Sequence, residues 1–292
     1  MSKFKSQLLL LFCFLHSYIS ASSQIVKEPS GTPKEWSASY TPFRIVGNLY
    51  YVGTYDLACY LITTNKGNIL INTGLASSTS LIKNNIEKLG FKFNDIKILL
   101  TTQAHYDHMG AMAEIKKITG AKFMVDEKDV DVLVDGGKSD YALGGKESSY
   151  APIIPDKLLR NNEVVTLGNF SLNMLHHPGH TKGSCSFIFS TADKNRSYKV
   201  LIANMPSIVT EKNFKGVKKY PEIAEDYAYT FKSMKTLTFD IWLASHASQF
   251  NLHKKHKPTD GYHPEVFMDK NGYIQSLKEL EKAYTEKIKN NK

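Results

Sequence analysis

The stretch TTQAHYDHMG, residues 101–110, places three metal-binding side chains within four positions: His105, Asp107 and His108. Gln103 stands two residues before His105, where a further histidine would complete the series. Two more histidine groups follow downstream, His176 and His177 with His180 in HHPGH, and His246 in ASH. Each group comes directly after an apolar, strand-like run: KILLTT, LNML and IWLAS. Strand ends on one sheet edge are where a fold can gather side chains that are distant in sequence. A lone histidine is normally structural, but three groups at strand ends, one holding an aspartate, point to a metal. Imidazole nitrogen with carboxylate oxygen is the usual donor set of a zinc ion that keeps an open coordination position. Such an ion lowers the pKa of a bound water to about 7, so hydrolysis is the chemistry to expect. Iron and manganese accept similar donors, and ligand type alone leaves the metal open.

The elements that must position these groups show in the hydrophobic pattern. NLYYVGTYDLACYLITTNKGNILINTG has β-branched and aromatic runs broken by Gly53 and by the turn chemistry of TNKGN, which predicts an antiparallel meander. Leu81, Ile82, Ile86 and Leu89 share a helical face that stops at Gly90. DIKILLTT is then a short apolar strand, followed by the histidine loop and by AMAEIKKITG, a helix closed by Gly120. KFMVDEKDVDVLVDGG reads as strand then helix. Residues 135–162 are rich in Gly, Ser and Pro and read as a long surface loop, the place for a substrate-facing excursion. Strands return in EVVTLGNFSLNMLHHPGHTKGSCSFIFS and YKVLIANMP; a helix over 222–237, the strand FDIWLASH and an amphipathic C-terminal helix complete the chain. Strands followed by helices occur twice, split near residue 160. That predicts an α/β fold of two halves packed sheet to sheet, with helices outside.

Bulk properties bound the function. The 292 residues, 42% hydrophobic and 22% charged, suffice for one large α/β domain or two small ones. The formal charge of +9 is carried almost wholly by lysine, since the arginines are Arg44, Arg160 and Arg196. There is no arginine cluster and no basic run interleaved with aromatics, which argues against nucleic-acid binding. The first 26 residues have Lys3 and Lys5, an apolar run over 8–15 and small residues Ser20–Ser23. This reads as a secretory signal peptide over 1–23, cut after Ser23, with the folded domain over 24–292. The apolar run is short for a membrane span, and Phe12 before Cys13 is too bulky for lipoprotein processing, so no stable membrane anchor is expected. Loss of Lys3 and Lys5 leaves a mature charge near +7. Cys59 and Cys185 lie in apolar runs and read as two buried free thiols rather than a disulfide framework.

QAHYDHMG, HHPGHTKGSCS and ASH together resemble the metal-binding motifs of the metallo-β-lactamase superfamily. The resemblance is to class B β-lactamases of the third subclass, and within them to the GOB-type branch, in which Gln stands at the first ligand position. It runs in motif order over essentially the whole mature chain. It implies an αββα sandwich and two adjacent zinc sites at the sheet edge. Carried onto this sequence, Gln103, His105 and His180 form the first site; Asp107, His108 and His246 form the second. The implied activity is hydrolysis of the lactam amide of penicillins, cephalosporins and carbapenems by hydroxide held at the metals, giving antibiotic resistance. Asp107 is the residue on which catalysis is placed. The second zinc would stabilise the developing amide nitrogen anion. The resemblance also suggests a bacterial periplasm, and the enzyme is expected to be a monomer.

An amide oxygen is neutral and a poorer zinc donor than imidazole, so the second site is expected to be the tighter one and to support catalysis alone. Every other ligand is intact, which argues against a disabled site. By the same resemblance Ser207 is a candidate for hydrogen bonding the substrate carboxylate, with an unassigned lysine helping. ANMPS, residues 203–207, stands where many relatives place a bridging Asp or a Cys; Met205 cannot take that role. This disfavours thioester hydrolases and phosphodiesterases of the superfamily. Asn72 is expected to steady the ligand loop or to make a turn, and Thr181, Gly183 and Ser184 to hold ligand geometry. His176 and His177 are read as packed, the alternative being that one of them supports a metal ligand from behind, and His253, His256 and His263 as solvated surface. A lactonase and a non-catalytic periplasmic zinc-binding protein are the competing readings.

Overall fold

The structure, a computed structural model, describes residues 26–194 and 196–289. The leader expected over 1–23 lies outside the described residues. Among them no helix is long and apolar enough to cross a membrane.

One sheet holds β1 (Phe43–Val46), β2 (Leu49–Tyr51), β3 (Tyr60–Thr64), β4 (Gly67–Ile71), β5 (Ile96–Leu100), β6 (Lys122–Asp126) and β7 (Lys157–Leu159), in sequence order. A second holds β8 (Val164–Leu167), β9 (Phe170–His176), β10 (Cys185–Ala192), β11 (Ser197–Ala203) and β12 (Ile241–Ala244), in the order β12-β11-β10-β9-β8. The first four strands form the expected antiparallel meander, with β3 and β4 joined through the TNKGN turn. From β4 to β7 the pairing is parallel, so each connection must cross over the sheet, and helices make those crossings. These are α1 (Thr79–Lys88), then the short α2 (Tyr106–Met109) with α3 (Met112–Thr119), then α4 (Val130–Val134). In the second sheet α5 (Ile223–Met234) joins the parallel pair β11 and β12; α6 (Leu252–Lys255) and α7 (Lys270–Lys289) follow. The split falls between β7 and β8, near residue 160 as the pattern predicts.

Side-chain alternation builds the layers. Ile62, Ile69, Ile71, Ile98 and Leu100 of the first sheet join one buried cluster with Leu172, Met174, Phe187, Val200 and Ile202 of the second. The residues between them, Leu61, Leu70 and Leu99, point the other way and pack with Ile82 and Ile86 of α1 and Met112 and Ile115 of α3. On the far face, Leu201 sits beside Trp242 across β11 and β12, and the Trp242 ring lies 5.4 Å from that of Tyr273 on α7. The result is the expected αββα sandwich. Burying one such side chain stabilises by about 1.5–3 kcal/mol. A one-residue slip of β3 or β4 would therefore expose several of them at once.

Two expectations need correction. Residues 135–162 are not simply a long surface loop. The segment contains β7, and Asp140 and Tyr150 within it are buried. The chain doubles back at Gly136, whose φ of +67° and 2.3 Å clearance to the Tyr150 carbonyl leave no room for a side chain. His256 is not solvated surface. It is buried, with its ring stacked on Phe43 at 3.7 Å and Nδ1 3.3 Å from the Tyr40 hydroxyl. Its flat ring covers aromatic surface that a polar residue count does not reveal. His253 is half-buried on the Tyr55 ring, and His263 is exposed. Cys59 and Cys185 are both buried, and among the described residues neither is in a disulfide.

His176 at the end of β9 meets Asp126 at the end of β6, Nδ1 to Oδ2 2.6 Å, and so ties one sheet to the other. Burial alone would lower the His176 pKa, but the hydrogen bond and charge of Asp126 outweigh it and raise it above 6.5. A raised histidine contributes stability fully below its unfolded pKa and loses it as pH rises through the folded value. The stability lost in His176→Asn, read from urea unfolding midpoints, should therefore be larger at pH 6 than at pH 9. Equal losses at both pH values would show that the pair's charge is not what matters.

Candidate metal centre

The three histidine groups meet at one edge of the sandwich, each delivered by a strand end. Beyond β5 the chain runs through Thr101 and Thr102, and both are anchored on Asn72, just past β4. Asn72 Oδ1 accepts from Thr102 N at 2.9 Å, Thr102 Oγ1 at 3.1 Å and Thr101 Oγ1 at 3.3 Å. Asn72 itself has φ +62°, so it makes a turn and steadies the loop together. Gln103 and His105 follow, and α2 then brings Asp107 and His108 into its first turn. Gly110 lets the end of α2 lie against the 74–76 backbone, where an added Cβ would come within 2.3 Å of Ala76 N.

After β9 the HHPGHTKGS turn is fastened to buried Asp129. Thr181 Oγ1 donates to Asp129 Oδ2 and Gly183 N to Oδ1, both at 2.7 Å. Thr181 N donates to Ser184 Oγ at 2.6 Å. Thr181, Gly183 and Ser184 thus hold the turn as the motif suggests. His177 bonds Ser186 Oγ at 2.8 Å and Ser233 Oγ at 3.2 Å; it and His176 are packed partners, not ligands. His246 follows β12 through Ser245, whose Oγ lies 2.9 Å from Thr102 Oγ1.

Asp107, His108 and His246 bring their donor atoms within 4.8 Å of one another. Asp107 Oδ2 lies 3.1 Å from His108 Nε2 and 3.2 Å from His246 Nε2. Beside this cluster, His105 Nδ1 and His180 Nε2 face each other at 3.2 Å. Two donors on one tetrahedral zinc, each about 2.0–2.1 Å from it, stand about 3.3 Å apart, so both spacings fit that ion. Among the described residues Gln103 Oε1 is buried without a hydrogen-bond partner, as is His108 Nε2. A buried polar atom left unpaired costs about 1–3 kcal/mol. Such atoms in the loop that carries Asp107 and His108, with His246 and the His105–His180 pair, make a donor set that suits a metal. Burial would raise the Asp107 pKa, yet His108 and His246 hold it well below the usual carboxylate range, so it is anionic. Burial and the neighbouring His105 push His180 down to about 3, so its imidazole is neutral and able to donate a lone pair.

Comparison with known proteins agrees with this geometry. Residues 53–193 match the family model of the metallo-beta-lactamase superfamily. The crystal structure of the class B3 di-zinc metallo-beta-lactamase LRA-12, from an Alaskan soil metagenome, is 65% identical and superposes with a TM-score of 0.89 over 89% of this chain and 99% of that one. The metallo-beta-lactamase GOB-18 from Elizabethkingia meningoseptica is 62% identical, with a TM-score of 0.91 over 92% of this chain and 100% of that one. The chain belongs to the metallo-beta-lactamase superfamily. Among curated relatives, a probable metallo-hydrolase of Methanocaldococcus jannaschii is 29% identical over 47% of this chain. That match spans 65% of the relative's length.

In this metallo-beta-lactamase fold, the partners behind the histidines carry no motif and escape a reading of the sequence. Asp56 Oδ2 takes His246 Nδ1 at 3.1 Å and also accepts from Trp36 Nε1 at 3.1 Å. The Ser207 carbonyl accepts from His180 Nδ1 at 2.8 Å, and the Ser207 hydroxyl lies 3.1 Å from the same nitrogen. Each of these contacts leaves Nε2 turned toward the centre. Asp140, in the segment read as a loop, lies 3.4 Å from His105 Nε2. Met205 is packed in the core. An aspartate in a Gly- and Ser-rich stretch gives no signal of its own; only the folded path of 135–143 reveals Asp140.

Removal of the Asn72 amide tests the anchoring of the ligand loop. Asn72→Ala should cost about 2–3 kcal/mol, through lost buried acceptors and a side chain forced into the left-handed region. Asn72→Gly should cost about 1 kcal/mol less, because glycine takes positive φ freely. Equal losses in guanidinium unfolding would show that the turn strain contributes nothing.

Proposed function

We propose that this protein is a zinc-dependent β-lactamase that hydrolyses the lactam amide of penicillins, cephalosporins and carbapenems. The observation that carries the reading is the pairing of two donor groups at one sheet edge: Asp107, His108 and His246 beside His105 and His180. The kinship to LRA-12 and GOB-18 over nearly their whole length, each described as a metallo-beta-lactamase, supports the substrate class. Gln103, His105 and His180 hold one ion, and Asp107, His108 and His246 the other. When bound, zinc acts as a Lewis acid and brings the pKa of a water near neutrality, so no serine nucleophile is needed.

The chain's own residues do the rest. Asp107 brings the negative charge of the centre and is the side chain on which turnover depends. His108 and His246 complete its site, and Asp56 fixes the ring of His246 through Nδ1. Ser207, half-buried beside His180, is the candidate partner of the carboxylate of an anionic substrate, and the lysine-rich surface attracts that substrate. The Gln103 site is the weaker, because a neutral amide oxygen replaces an imidazole. The charge and apolar pattern of residues 1–23 support export to a bacterial periplasm, where the 24–292 domain acts as a monomer.

The test is loss of lactam absorbance for a penicillin, a cephalosporin and a carbapenem, with and without chelator. Hydrolysis that chelator stops and zinc restores is expected, and Asp107→Ala should reduce it to the background rate. Turnover of a lactone with none of the three lactams would instead favour a lactonase. Zinc titration should show two unequal affinities, and Gln103→His should tighten the weaker by about tenfold, equivalent to about 1.4 kcal/mol. Equal, tight occupancy of both sites in the unaltered protein would overturn the ordering.

A further inference from the structure

Two consecutive residues of the 135–143 segment reach the two histidines of the Gln103 site. The Asp140 carboxylate, 4% exposed, lies 3.4 Å from His105 Nε2. The Tyr141 hydroxyl donates to the backbone carbonyls of Gly179 and His180, both at 3.1 Å. Asp140 is itself held in place, since Oδ1 accepts from Ala142 N at 2.8 Å and Leu143 N at 2.6 Å. One carboxylate oxygen is thus committed to the backbone, and the other is aimed at the imidazole. Among the described residues His105 Nε2 is buried and has no aligned hydrogen bond, so this oxygen is the acceptor placed to take its proton. The other nitrogen of the ring, Nδ1, faces His180.

We infer that Asp140 is a positioning residue for the Gln103 site. It holds His105 with the proton on Nε2, presents the Nδ1 lone pair to zinc, and supplies next to this site the negative charge that Gln103 cannot. A carboxylate behind a ligating histidine fixes its tautomer and raises its basicity. The second site carries its own anion in Asp107. The first site has two imidazoles and an amide, and the carboxylate paired with it stands behind the His105 ring. Tyr141 extends the same grip to His180 through its backbone. The segment that sequence pattern assigns to a surface loop is therefore the clamp on the weaker zinc site. This inference rests on the reading of Gln103, His105 and His180 as zinc ligands.

The experiment measures both zinc affinities by competition with a chromophoric chelator in the full-length mature protein. Asp140→Asn keeps an acceptor for the Ala142 and Leu143 amides but turns an N–H toward His105 Nε2–H. Its weaker zinc affinity should fall about 10–100-fold while the tighter one stays, and Asp140→Glu should recover part of the loss. A second readout is the histidine side-chain proton–nitrogen spectrum of the zinc-loaded protein. There the Nε2–H tautomer of His105 should be present in the original protein and lost in Asp140→Asn. Two unchanged zinc affinities in Asp140→Asn would overturn the inference. Should that variant not fold, Asp140→Ser, with a hydroxyl acceptor and no charge, is read in the same way. His105→Ala separates the two levels. If it lowers zinc binding while the Asp140 variants do not, only the role of Asp140 falls. If His105→Ala binds both ions as before, the ligand reading falls and the inference with it.

Discussion

The centre depends on a junction between two sheets at Thr102. Its carbonyl accepts from Cys185 N at 2.8 Å, its hydroxyl meets Ser245 Oγ at 2.9 Å, and its amide and hydroxyl both donate to Asn72. This single residue, the second after β5, thereby touches the start of β10, the end of β12 and the turn after β4. The three histidine groups leave from these same strand ends. A shift of either sheet along the interface would part His180 and His246 from the 103–108 loop. Face alternation in the core resists such a shift, because apolar side chains on both sheets would lose their partners. Backbone groups at the junction are paired across the sheets, so the edge is ordered where an open edge would otherwise fray.

Polar groups are concentrated in this edge at a free-energy cost. Gln103, His105, Asp107, His108 and His180 are all buried. Burying polar atoms without compensation is unfavourable by about 1–3 kcal/mol each. The fold offsets part of this with carboxylates behind the rings: Asp56 behind His246, Asp140 behind His105, and Asp129 under the Thr181–Gly183 turn. These acids come from the meander, the 135–143 segment and the residue before α4. They have no sequence relation to the histidines they serve. Among the described residues Gln103 Oε1 and His108 Nε2 stay buried without a hydrogen-bond partner.

Gln103 sits in a loop built as firmly as the rest of this edge. Its amide oxygen is buried in the same loop as the histidines, the loop is fully anchored, and the neighbouring pair of imidazoles keeps a spacing suited to one ion. Asn72, Thr102 and Asp129 hold the loop and the facing turn in consistent hydrogen bonding. On the proposed assignment the two sites differ in where their negative charge sits. Asp107 is part of one; Asp140 stands behind the other.

The hydrophobic alternation, the turn at TNKGN and the split near residue 160 determined two layered halves, because periodicity is local and each strand shows its buried face directly. The motifs determined the metal chemistry, because residue type and spacing limit the donors that can meet one ion. What only the tertiary structure decided lies in contacts between residues far apart in sequence. Asp56, Asp140 and His256 are ordinary in their local context; long-range packing makes the first two ring partners and buries the third against Phe43. Residues 135–162 look like loop because Gly and Ser obscure periodicity. Their path is set instead by the return of Tyr150 onto Gly136, a contact that no local pattern encodes.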